Sequence, residues 1–91
     1  MKFKFDTNYS ENELNFIKEN NCEILSEIKL SKTNFSDYEI PRRMIRYCGS
    51  YIGEITDDET NSPTWAVLEK WKGVYHFWGG YDSLEAMQQG L

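Results

Sequence analysis

Histidine and cysteine are scarce: His76 is the single histidine, and Cys22 and Cys48 stand apart with no Cys-x-x-Cys pair. Such spacing excludes a disulfide-rich framework and argues against zinc, which needs clustered thiolate and imidazole ligands. Both thiols are expected to be buried and reduced, as in a cytoplasmic protein. A reactive cysteine wants an exposed, electropositive niche, and the pattern below turns Arg42, Arg43 and Arg46 away from Cys48. No apolar run follows Lys2 and Lys4, so no signal peptide is expected, and no stretch is long enough to cross a bilayer. Internal repeats and low-complexity segments are lacking as well. Positive charge is in deficit, with 10 basic against 15 acidic side chains and a net charge of −5. That balance argues against direct binding of duplex nucleic acid, which needs a basic stripe. It favours a basic partner, because complementary fields speed encounter, although mild acidity also serves solubility alone.

What is present fits a single domain over residues 1–91, with 40% hydrophobic content and one modest core. Lys2-Phe3-Lys4-Phe5 alternates as a short strand would. Ser10-Glu11-Asn12-Glu13 spells a capping box. Behind it Leu14, Ile17, Ile24, Leu25 and Ile28 share a face at about 100° per residue. Asn20-Asn21 interrupts this run, and the second piece, residues 22–30, is read as helix with an extended segment as the alternative. Over residues 40–55, Ile40, Met44, Ile45, Tyr47, Cys48, Tyr51, Ile52 and Ile55 occupy one arc of a helical wheel. The spacing predicts an amphipathic helix opened by Pro41. Gly49 and Gly53 would then each cost about 1 kcal/mol and form a strip open to a closely packed backbone. Residues 57–63 read as a polar loop. Trp65 to Trp71 and Val74 to Trp78 read as a hairpin about Lys72-Gly73, ended by Gly79-Gly80. Asp82-Ser83-Leu84-Glu85 opens a last helix with Leu84, Met87 and Leu91 on one stripe. The order predicts an α+β fold: N-terminal helices packed on a small antiparallel sheet, with a short C-terminal helix.

No complete catalytic set is visible. His76 lies mid-strand between Tyr75 and Phe77, and the sequence supplies no nucleophile or orienting carboxylate beyond Asp82 or Glu69. The chain therefore reads as a binding protein and not an enzyme, with no catalytic residues, no metal and no cofactor. Its most suggestive surface feature is the acidic run Glu54, Asp57, Asp58 and Glu59. Several acids at a helix C-terminus oppose the macrodipole, so either the helix ends first or the cluster meets an external cation. A solvated loop explains them equally, and the spacing lacks the Asp/Asn-Gly pattern of a calcium loop. The chain has fourteen aromatic residues, a large number for so small a core. Trp and Tyr are frequent interface anchors, so Trp65, Trp71 and Tyr81 join the acids as candidate partner-binding residues. The competing reading places Trp65 and Trp71 in the core and Trp78 at a half-exposed strand end.

Gly49-Ser50-Tyr51-Ile52-Gly53-Glu54, followed by Trp65, resembles a pattern in small bacterial immunity proteins. There a helix ends in Gly-x-Tyr-(Ile/Leu)-Gly-Glu, and a loop leads to a strand opening with Trp. Gly79-Gly80-Tyr81-Asp82-Ser83-Leu84 is similar to the closing turn and helix of that pattern. The resemblance covers residues 38–90, and Pro63 stands in a polar loop where such proteins often have a Gly-Gly turn. It implies a cytoplasmic antitoxin that binds and neutralises the C-terminal domain of a polymorphic or contact-dependent growth-inhibition toxin. Such toxins are often nucleases, RNases prominent among them, and a basic nuclease suits an acidic inhibitor. Glu54, Asp57, Asp58 and Glu59 would then replace substrate phosphates, and Trp65, Trp71 and Tyr81 would anchor the contact. A phage or mobile-element inhibitor of a host nucleic-acid enzyme would show the same acidic and aromatic features.

Overall fold

The computed structural model describes residues 2–29, 41–57 and 59–90. Strand β1 (Lys2–Lys4) leads to helix α1 (Glu11–Glu19), then to strands β2 (Glu23–Leu25) and β3 (Glu27–Lys29). Strands β4 (Arg43–Tyr47), β5 (Ser50–Thr56), β6 (Pro63–Trp71) and β7 (Val74–Tyr81) follow, and helix α2 (Leu84–Gly90) comes last. The class is α+β, but strands dominate. One N-terminal helix is present among the described residues where two or more were expected.

Helix α1 starts as its capping box requires. The Ser10 hydroxyl accepts from the Glu13 amide at 3.2 Å, and the Glu13 carboxylate accepts from the Ser10 amide at 2.9 Å. It stops at Asn21, which sits in the left-handed region at φ 53° and lets the Cys22 amide reach back to the Ile17 carbonyl at 2.8 Å. Asparagine tolerates that conformation better than most residues, and the reach-back satisfies a carbonyl the helix end would otherwise orphan. The helix expected over 22–30 is therefore replaced by β2 and β3, and the chain changes sheets between them at Ser26.

The helix expected over 40–55 is also absent from its described part, residues 41–55, for a reason visible in the packing; Ile40 lies outside the described residues. Strands β4 and β5 form a hairpin whose two-residue turn holds Cys48 at φ 48° and Gly49 at φ 85°. Positive φ at both central positions is the turn whose twist matches paired strands. Lys72 and Gly73, at φ 52° and 80°, repeat it between β6 and β7. The five-stranded antiparallel sheet runs β2-β4-β5-β6-β7, and a separate ribbon pairs β1 with β3. The sheet is covered on both faces. On one, Ile45, Ile52, Trp65 and Val67 pack under α1 and α2 against Phe16, Ile17, Leu84 and Met87. On the other, Met44 and Leu68 pack with Phe3 and Phe5 from the N-terminal arm. Adjacent residues Met44 and Ile45 are thus both fully buried, in different clusters. A strand buried on both faces loses its polar–apolar alternation.

Gly49 belongs to the turn and Gly53 to the middle of β5, so the two form no helical strip. A Cβ at Gly53 would sit 2.9 Å from the Phe77 ring and 3.0 Å from Pro41. The close neighbour is internal. The cysteines also differ from expectation: Cys22 is half-buried, and Cys48 is exposed at its turn. The α2 cap is Ser83, whose hydroxyl accepts from the Ala86 amide at 3.1 Å, one residue later than the expected box. Leu84 and Met87 are buried beneath it, while Leu91 lies outside the described residues.

Candidate protein-interaction surface

The seven candidate residues do not all converge: Glu54, Trp65 and Tyr81 stand side by side across β5, β6 and β7, and Trp71 lies apart from them. Trp65 and Trp71 lie at opposite ends of β6, about 20 Å apart at the rise of an extended strand. Glu54 is buried in β5 and is no part of a loop. Directly opposite it in the register stands Arg43, which donates to both Glu54 carboxylate oxygens at 3.0 and 2.7 Å. The same guanidinium donates to both Glu13 oxygens at 2.8 Å and to the Asn8 carbonyl at 3.0 Å. All five guanidinium N–H groups are thereby used. The guanidinium carbon lies 4.7 Å from the Tyr9 ring centre and 5.2 Å from that of Trp65. This is a structural hub, absent from the sequence reading because Arg43 and Glu54 face each other only if residues 43–56 form a hairpin.

The hub shifts its neighbours. Burial works against the Glu13 charge, but hydrogen bonds from Arg43 and Ser10 outweigh it and hold the carboxyl below its ordinary value. Burial drives the Tyr9 phenol up to about 12, with Arg43 opposing and Glu13, Glu54 and Asp6 reinforcing. The hydrogen bonds it donates to Glu54 and Glu13 raise Arg43 against the cost of its burial.

Asp57 is half-buried and organises its own loop: its carboxylate accepts from the Glu59 and Thr60 amides at 2.7 and 3.2 Å. Glu59 is exposed, and Asp58 lies outside the described residues. Trp65 is 4% exposed and belongs to the core, and what surface remains lines a cleft at the helix starts. Tyr81 is half-buried beside the same cluster. Its ring lies where a Cβ at Gly79 would be, at 2.7 Å. Only Glu59 and Trp71 of the seven are well exposed among the described residues.

Two clefts flank the helices. One, of about 470 Å³, runs between the two helix starts and β6 and is lined by Glu13, Glu54, Asp82 and Glu85 with Ser10, Asn12 and Ser83. The other, of about 530 Å³, lies between α1 and α2 and is lined by Glu19, Glu85 and the amides of Asn12, Asn15, Asn20 and Gln88. Among the described residues, neither lining includes a lysine or arginine. Their size suits a small molecule, but such sites are mostly apolar. Glu19, Asp82 and Glu85 are exposed carboxylates along them.

At the far end of the sheet the surface is aromatic. Trp78 pairs with Val67 and His76 with Glu69, so both side chains project on the helix-covered face, as does Trp71. Trp71 is 58% and Trp78 52% exposed. The His76 ring lies between them, 6.0 Å from Trp71 and 5.8 Å from Trp78. The register supplies the Glu69 that an enzyme reading of His76 would need, and leaves Asp82 about 20 Å along the strand. The sequence marks Trp78 only as a half-exposed strand end, and its grouping with Trp71 follows from the tight Lys72-Gly73 turn. No family model matches the chain, and no characterised protein or solved structure matches it. Among the described residues, no helix is long and apolar enough to cross a membrane.

Proposed function

We propose that this chain is an immunity protein, which binds a basic toxin domain of nuclease type and neutralises it by direct contact in the cytoplasm. The observation that carries the reading is the lining of the two clefts. Glu19, Asp82 and Glu85 stand exposed on a concave surface whose lining, among the described residues, includes no basic side chain. A negative concavity attracts the lysines and arginines with which a nuclease holds phosphate, and it blocks them without chemistry. Glu59 extends this charge from the neighbouring loop. Glu54 serves from behind, holding Arg43 and through it Glu13, and no longer counts as a contact residue. The resemblance at residues 79–84, which lead into α2, points the same way, whereas residues 49–54 form a turn and strand and not the helix end of that pattern.

The test is growth of cells expressing the toxin domain encoded beside this chain, with and without it, together with binding of the two purified proteins. Protection and a complex are expected. Changing Glu19, Asp82 and Glu85 together to Gln or Asn should slow association several-fold at low salt and little at high salt. Full toxicity in the presence of the folded chain would refute the proposal.

A further inference from the structure

We infer that the Trp71–His76–Trp78 face is the apolar half of the partner-binding surface, where a basic protein seats a nonpolar or aromatic projection. The inference rests on the immunity reading above and adds where affinity comes from. The two indoles are half or more exposed, and the His76 ring between them joins them into one continuous aromatic strip. Large exposed aromatics ringed by polar groups are where interfaces concentrate their binding free energy. Here the ring is Glu69, opposite His76, and Lys72, whose ammonium lies 4.6 Å from the Trp71 ring centre.

Area and charge decide between occupants. Half-exposed indoles offer together about 250 Å². A stable interface needs about 800 Å² per partner, so the strip does not suffice by itself. A second copy would add its own net charge of −5 against this one. A basic protein has the opposite advantage. The strip lies on the face of the sheet that the helices cover, on the two strands against which α2 packs, and α2 also lines both clefts. One partner straddling α2 therefore reaches both. The division of labour follows: carboxylates set the rate of association, and indoles set the lifetime of the complex.

The experiment uses the full chain and the catalytically inactive toxin domain encoded beside it, with surface plasmon resonance at two salt concentrations. Trp71→Ala and Trp78→Ala should each weaken binding about 30-fold or more, through faster dissociation, with the salt dependence unchanged. Leu14→Ala, exposed on α1, is the control and should leave binding as it was. Both indoles are at the surface, so circular dichroism and thermal midpoint should match the parent. Binding by the parent and unchanged binding by both tryptophan variants overturns the inference and leaves the immunity reading standing. No complex with the parent overturns both. Loss of self-association in the tryptophan variants, with toxin binding intact, also overturns it and assigns the strip to a second copy.

Discussion

Replacing Arg43 tests whether the hub holds the fold together. Its side chain is 12% exposed, and that of Glu54 is 8% exposed, so Arg43→Ala strands a buried carboxylate. Removing one partner of a buried ion pair costs about 3–5 kcal/mol. The Glu13 arm, 23% exposed and more screened, adds less than the Glu54 arm. A chain of this length has about 5–14 kcal/mol to lose, so the variant should lie near the edge of folding. Urea unfolding followed by tryptophan fluorescence reads the change as a lower midpoint at constant slope. The companion is Arg43→Met with Glu54→Leu, which removes both charges and keeps the volume. It should recover most of the loss, because well-packed apolar replacements of buried pairs are often neutral or stabilising. A loss below about 1 kcal/mol for Arg43→Ala would show that water reaches the site and would refute the argument.

Two further outcomes follow from the same packing. Gly53→Ala should cost about 1–3 kcal/mol by thermal unfolding, because its methyl would meet the Phe77 ring at 2.9 Å and Pro41 at 3.0 Å. Glu13 has a carboxyl held below its ordinary value, so its stabilisation is present above pH 4.5, the unfolded value, and fades as pH falls through the folded one. Acid unfolding of Glu13→Gln should accordingly show a flatter limb below pH 4.5 than the parent, and an identical limb would remove Glu13 from that role.

Legibility in the sequence tracked how local each signal was. The Ser10–Glu13 box and the Lys72-Gly73 turn depend on neighbours a few residues apart, and each appears where its residues place it; the expected 57–63 loop is shorter, because Pro63 already pairs with Thr56 in β6. Residues 40–55 failed because Met44 and Ile45 face different cores, a fact fixed by the N-terminal arm and not by the segment itself. Their apolar run fits a helical wheel by accident. The Cys48-Gly49 turn lacks the Asn-Gly or Asp-Gly signature that would have marked it. For the surface, the acidic and aromatic character was legible, but its assignment to residues was not. Glu54 and Trp65 are consumed by Arg43 and the core, while Trp78 takes its exposed place through strand register, and Asp82 and Glu85 take theirs around the start of α2.

Arg43 also bears on how the chain is made. Its partners Glu13 and Glu54 lie 30 residues before it and 11 after it, and the core that α1 covers needs Trp65 and Val67 as well. A nine-residue helix is marginal in water without such support. During synthesis α1 therefore lacks the strands it covers until the chain through Val67 has left the ribosome, whereas β1 and β3 have each other within the first third.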